Sequence, residues 1–290
     1  MDIKEPFITV IVPCYNHEKY IVECLLSIHN QTYKKFQWIV VDDGSKDDCP
    51  NILKKYQVDF GYELILQENK GVAQTLTDTI KNYAKGKYIS LCASDDFWIP
   101  QKLEWQLDFM ECNPEYAMSY GRCFQIDSDS RRLPVIIDHK LRGGYIFEDI
   151  ICQKFHPPVN YMIKRDVLAE LGYFKNGVIA EDFYMNCMIA SKYPIGFMDK
   201  YLAYYRVAPL ATKRDPYTLL KSHRETIDMF KTYDIYAKAV YLSDLRCACL
   251  LSCYTKYKFM ALKYAFADVK NIFHIYWWKA MINLLRRWIK

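Results

Sequence analysis

Gly86-Lys-Tyr-Ile-Ser-Leu-Cys-Ala-Ser-Asp-Asp-Phe-Trp98 is the stretch on which the reading of this chain turns. Tyr88 to Ala93 is short and mostly apolar, the pattern of a strand buried in a parallel sheet, and it stops at two adjacent carboxylates, Asp95 and Asp96. In an open α/β sheet, ligands bind beyond the carboxyl ends of the strands, so such a pair belongs at the mouth of a crevice. Hard oxygen ligands suit Mg²⁺ or Mn²⁺, which take one or two carboxylates and fill their other positions with phosphate oxygens and water. A metal–diphosphate site is one expectation. The other is that the two acids simply open the next helix, whose N-terminus favours negative charge.

The flanking sequence repeats the pattern. Phe7 to Val12 is a β-branched run stopped by Pro13, and Asn16 is placed to cap a helix over His17–Asn30 with Tyr20, Cys24, Leu25 and Ile28 on one face. Phe36 to Val41 is a second strand, ending in Asp42-Asp43-Gly44-Ser45, and Asp47 and Asp48 precede a helix through Lys55. Leu64 to Gln67 is a third strand, followed by Glu68-Asn69-Lys70-Gly71 and a helix from about Val72 to Tyr83. Alternating strands and helices predict a parallel, doubly wound sheet. Asp42-Asp43-Gly-Ser is by itself an ordinary turn composition. With two acid pairs at neighbouring strand ends, however, one pair could hold a metal while the other accepts hydrogen bonds from a base or ribose.

Composition narrows the class. At 290 residues with 51% hydrophobic content the chain fills one or two domains, and 25 tyrosines and 15 phenylalanines exclude a low-complexity segment. Eleven cysteines without a Cys-x-x-Cys spacing predict reduced thiols in a cytosolic compartment. No histidine pair follows Cys247, Cys249 and Cys253, so helix burial is favoured there over zinc. The opening residues lack the apolar core of a signal peptide, and no apolar run reaches the roughly 20 residues of a membrane span.

Thr9-Val-Ile-Val-Pro-Cys-Tyr-Asn16, Ile39-Val-Val-Asp-Asp-Gly-Ser45, Asn69-Lys-Gly71, the Gly86–Asp96 stretch and Glu181-Asp182 together resemble the ordered motifs of inverting family 2 glycosyltransferases, over about residues 7–206. The resemblance implies a GT-A fold: α/β, a Rossmann-like and mostly parallel sheet flanked by helices, with a C-terminal helical extension. Residues 1–100 would bind the nucleotide sugar, 101–215 the acceptor, and 216–290 would form the extension. It further implies that Tyr15, with Pro13 and Asn16, lies near the nucleotide base and that Asp43, beside Asp42, contacts uracil. In the Asp-x-Asp-type motif the first position is Ser94, which leaves Asp96 as the direct ligand of Mn²⁺ or Mg²⁺ and Asp95 as a contact to ribose or the metal shell. Many members carry Arg-Asn about five residues after Asn-x-Gly; this chain has Leu76-Thr77, and Lys70, before Gly71, is expected to supply the missing positive charge.

Gln101 to Met110 reads as an amphipathic helix, and Met118 to Ile126 as a strand with Ser119-Tyr120-Gly121 near the crevice. Asp127 to Arg132 is a polar hairpin turn, and Gly143 to Glu148 enters another helix. Lys154-Phe-His-Pro-Pro158 leads into a strand over Val159–Lys164; His156 is either a loop residue or, by the resemblance, a substrate contact in the acceptor channel or an occasional metal ligand. Glu181-Asp182 opens a helix to about Lys192. A helix cap explains that pair, but the family carries its catalytic base at this place, which makes Asp182 the expected base with Glu181 second or orienting it.

From Lys256 to Lys290 there are eight basic residues and one acid, Asp268; the remainder holds 31 basic and 33 acidic residues. Apolar positions 259, 262, 266, 269, 273, 276, 280 and 284 form a helical stripe over Tyr257–Trp288. Its first part is expected to pack on the catalytic domain or a second subunit. Its last turns, with Tyr276, Trp277, Trp278 and Trp288 among Lys279, Arg286 and Arg287, suggest an anionic membrane surface. The near-neutral body argues against nucleic acid.

The expectation is therefore a cytosol-facing enzyme, peripheral at the inner face of the membrane. It would move a sugar from a nucleotide diphosphate donor, UDP-linked by preference, to a hydroxyl of a lipid-linked or growing surface saccharide. A sugar nucleotidyltransferase would need a Gly-rich, Arg-containing first loop, which Pro13-Cys-Tyr-Asn16 is not. A non-catalytic nucleotide-sugar-binding or scaffolding subunit is the remaining alternative.

Overall fold

β-Branched runs become strands where the sequence places them. The computed structural model describes residues 7–135, 138–207 and 215–288. β1 (Ile8–Cys14), β2 (Phe36–Asp43), β3 (Glu63–Gln67) and β4 (Tyr88–Leu91) pair in parallel, alternating in sequence with α1 (Ile21–His29), α2 (Cys49–Phe60) and α3 (Val72–Asn82). Next in the chain come β5 (Phe97–Trp98), α4 (Lys102–Cys112), β6 (Met118–Ile126), α5 (Phe147–Ile151), β7 (Met162–Lys164), α6 (Arg165–Glu170), α7 (Glu181–Ala190) and β8 (Ile195–Arg206). The eight strands form one mixed sheet in the order β3-β2-β1-β4-β7-β6-β8-β5. β7 is antiparallel to both neighbours, β6 and β8 are parallel, and β5 is antiparallel to β8. This is the α/β architecture expected from the sequence.

Every residue of β1 except Pro13 is buried, because helices cover both faces of this half of the sheet. Ile8, Val10, Val12 and Cys14 pack with Ile21, Leu25 and Ile28 of α1 and Leu53 of α2, while Ile11 points to the other face. Each such side chain contributes ~1.5–3 kcal/mol on burial.

Three local expectations are corrected. α1 starts at Ile21 and not at His17: Asn16 adopts φ 55° and its Oδ1 accepts the Lys46 N–H (2.7 Å), tying the β1 loop to the loop after β2 instead of capping a helix. α2 continues past Lys55 to Phe60, where Gly61 at φ 72° donates to the Gln57 carbonyl and closes it. Asp95 and Asp96 do not open a helix. They occupy a turn in which the Asp96 N–H donates to the Ala93 carbonyl (3.0 Å), and β5 comes before α4.

The chain divides into two compact units, residues 1–146 with 156–209, and Phe147–Phe155 with the segment from 210 onward. The second contains α5, α8 (Pro216–Ile227), α9 (Tyr236–Leu251), α10 (Lys258–Ala265) and α11 (Ile275–Trp288). Leu220, Cys247, Leu251, Ala261 and Leu284 form its core. The single stripe expected over Tyr257–Trp288 is interrupted: the Asn271 side chain donates to the carbonyls of Tyr264 and Ala265 (3.2 and 3.0 Å), satisfying the end of α10, and Asp268 caps a short 3-10 turn. All eleven cysteines are free thiols. Among the described residues no helix is long and apolar enough to cross a membrane.

Candidate active site

The carboxyl ends of β1, β2 and β4 meet the loops that carry the polar residues singled out above. Tyr15 is exposed beyond β1, next to Asn16, whose backbone N–H donates to Ser45 Oγ (3.0 Å). Asp42 and Asp43 are the last residues of β2 and are almost wholly buried. Asp42 Oδ2 accepts the Ser45 N–H, whereas its Oδ1 is buried without a partner. Asp43 accepts the backbone N–H groups of Lys70 (2.8 Å) and Gly71 (2.9 Å) and the Gln67 amide (2.8 Å), so it clasps the Asn69–Gly71 loop. Gly44 lies under that loop at φ 74°, where a Cβ would meet the Asn69 nitrogen at 2.7 Å. The Lys70 ammonium is bound to Asp78 of α3 (3.0 Å).

The Asp95–Asp96 turn is held by residues that sequence reasoning missed. Arg206, at the end of β8, has a fully buried side chain. Its backbone N–H donates to Asp96 Oδ1 (2.8 Å), Nε to the Asp95 carbonyl (2.8 Å), Nη1 to the Asp127 carbonyl (2.9 Å) and Ser130 Oγ (3.0 Å), and Nη2 to Glu23 of α1 (2.6 Å). Its guanidinium lies 4.2 Å from the Tyr20 ring. Burial, then the charge of Asp95, pushes the Asp96 carboxyl well above its usual range, against the opposing pull of Arg206. Asp95 is only half-buried. Ser94 is buried and bonded to His17 Nδ1 (2.8 Å), so an imidazole from the β1 loop stands beside the turn.

Lys102 of α4 is fully buried, with Nζ donating to Ser90 Oγ and Gln106 Oε1 (both 2.7 Å) and lying 3.8 Å from the Trp98 ring. Burial pushes it down to about 7. A Lys and Gln one turn apart on a buried face were the only sequence signal for this.

A cavity of about 310 Å³ opens in the same unit, lined among others by Arg122, Gln125, His156, Asp182, Tyr201 and Tyr205. Asp182 heads α7 and spends Oδ1 on the Phe183 N–H (2.7 Å); Glu181 is not among the lining residues. His156 meets the Phe183 ring edge-on at 5.8 Å. Tyr205 precedes Arg206 in β8, and its phenol is raised by burial and then by the charges of Asp96, Asp95 and Asp182. Among the described residues no three His, Cys, Asp or Glu side chains are grouped to hold an ion by themselves.

The sequence profile of glycosyl transferase family 2 matches residues 9–172, more than half of the chain. The chain belongs to this family. As a family 2 glycosyltransferase it is 27% identical over 215 residues to an uncharacterized glycosyltransferase of Methanocaldococcus jannaschii, covering 71% of this chain and 72% of that one. It is 32% identical over 203 residues to an uncharacterized glycosyltransferase of Rickettsia conorii, covering 69% of this chain but only 33% of that relative. Its fold matches the crystal structure of S. aureus TarS in complex with UDP-GlcNAc at a TM-score of 0.65 and 20% identity, over 91% of this chain and 73% of that one.

Proposed function

We propose that this family 2 glycosyltransferase transfers a sugar from a UDP-sugar to an acceptor hydroxyl with inversion, using a divalent cation at the Asp95–Asp96 turn. The observation that carries the reading is geometric: Tyr205 and Asp182 line one cavity, and the residue after Tyr205, Arg206, donates to Asp96 and to the Asp95 carbonyl. One strand, β8, therefore joins the cavity wall to the Asp95–Asp96 turn.

In this reading the nucleotide lies over Pro13, Tyr15 and Asn16, with the clasped Asn69–Gly71 loop alongside. Asp43 Oδ2 accepts one hydrogen bond from the chain and keeps capacity for a base N–H. The neighbour that binds UDP-GlcNAc supports the choice of donor. Two adjacent carboxylates are enough for Mg²⁺ or Mn²⁺, which draw their other ligands from diphosphate and water. Asp95 is assigned as the direct ligand and Asp96 as the buried acid beneath it. This reverses the order expected from sequence, because Arg206 holds Asp96 in the interior. When bound, the cation would offset charge building on the departing diphosphate.

Asp182 accepts the acceptor hydroxyl proton as that oxygen attacks the anomeric carbon from the side opposite the diphosphate. Tyr201, Tyr205 and His156 wall the acceptor; Glu181 supports the helix start. The acceptor is a lipid-linked or growing saccharide, and the second unit brings the enzyme to an anionic membrane face.

The test is incubation with a panel of nucleotide sugars and Mn²⁺ or Mg²⁺ without acceptor. Slow hydrolysis of one UDP-sugar, lost in Asp95→Ala, is expected. If no nucleotide sugar binds or turns over, the proposal fails.

A further inference from the structure

The second unit carries an apolar surface that its own packing leaves open. Ala280 and Leu284 of α11 are buried in the helical core. Ile275, Trp278, Ile282 and Leu285 are instead 62%, 57%, 46% and 57% exposed. Their spacing of three, four and three residues sets them in one stripe, nearly opposite Ala280 and Leu284 on the helix. Phe266, itself exposed, meets Trp277 at 5.7 Å, and Trp277 meets Trp278 at 5.0 Å, so the stripe continues onto the turn after α10. Scattered exposed apolar side chains are ordinary; a contiguous stripe of this kind marks an interaction surface.

Charge selects the occupant. Residues 256–290 hold eight basic side chains against one acid, and α11 has no acid at all. Lys279 and Arg286 are exposed and run beside the stripe along one edge. A second copy docked on this face would set a basic rim against itself, whereas an anionic bilayer is attracted by the rim and accepts the stripe. Tryptophan among apolar residues, bordered by Lys and Arg, is the composition of helices that lie in the interface plane.

We propose that the Ile275–Leu285 face of α11 docks on an anionic lipid bilayer, with the helix in the plane of the surface and Trp278 at the headgroup–acyl boundary. This names the surface behind the membrane part of the proposed function and rests on that part alone.

The full chain would be mixed with vesicles of phosphatidylcholine alone or with phosphatidylglycerol and assayed by co-sedimentation. Binding only to the anionic vesicles, weakened by salt, is expected. The double substitution Ile282→Asp, Leu285→Asp should cut it by about tenfold or more. Trp278→Phe should keep binding but lose part of the fluorescence that lipid-borne quenchers reach. Failure to bind anionic vesicles overturns the proposal, as does binding indifferent to the double substitution. A stable oligomer dissolved by the double substitution, without vesicle binding, would assign the face to a second copy and also overturn it. Donor hydrolysis in solution, measured without vesicles, reports separately on the transfer chemistry.

Discussion

The acid pair after β4 and the acid pair at the head of α7 look alike in sequence and sit in different surroundings. Asp95–Asp96 sits in a strand–turn–strand and is held by two hydrogen bonds from Arg206. Its inner member is buried and its carboxyl is raised. Asp182 stands at a helix N-terminus, half-buried, and faces a cavity with a single hydrogen bond to the Phe183 amide. In the proposed reading the first arrangement holds the cation and the second leaves a carboxylate to take a proton. The next element of the chain, β5 after one pair and the body of α7 after the other, separates the two arrangements.

Substitutions sharpen the contrast. Asp182→Asn should lower kcat by about 10²–10⁴ while the KM for donor changes little; near-normal turnover would break the assignment of the base. Arg206→Lys should destabilise the fold by ~3 kcal/mol in denaturant unfolding, because Glu23 and the Asp127–Ser130 loop lose a buried partner. The same change should weaken nucleotide binding more than the acceptor KM, a split that general loss of stability would not give.

Lys102 gives a smaller, pH-dependent effect. Its folded pKa of about 7 lies below the ~10.4 of the unfolded chain, so between these values the unfolded state holds the extra proton and stability rises with pH, by up to about 1.4 kcal/mol per unit. The buried thiols Cys14 and Cys24, whose pKa values are raised, oppose the rise once unfolded thiols ionise near ~8.5. Melting temperature should therefore climb from pH 7 to about pH 8.5 in the wild type and stay flat in Lys102→Met. The smallest effect is expected for Lys70→Ala: with its ammonium on Asp78, the loss should be under ~1 kcal/mol and donor affinity should hold. A tenfold loss of affinity would make Lys70 a donor contact.

The parallel half of the sheet was legible because β-branched runs such as Ile8–Val12 and Ile39–Val41 have no comfortable alternative to a buried strand. β5 and β7, of two and three residues, are too short to carry a period, and their places are set by pairing with β8, β4 and β6. The candidate site divides in the same way. Asp42, Asp43, Asp95, Asp96 and Asp182 announce themselves by position, but their division of labour depends on burial. Arg206 carried no such mark, since nothing local flags a charged side chain whose partners lie up to 183 residues away, and the His17 partner, Ser94, is 77 residues on. The break at Asn271 was hidden because side-chain capping of α10 leaves the apolar spacing intact.

Binding of UDP, with and without Mn²⁺, to the wild type, Asp95→Ala and Asp182→Asn tests the central claim most directly. Mn²⁺-dependent binding kept in Asp182→Asn and lost in Asp95→Ala is the predicted result, with transfer reduced by at least about 10² in both. Mn²⁺-dependent binding that survives in Asp95→Ala, or disappears in Asp182→Asn, would contradict the division of roles between the two acid pairs.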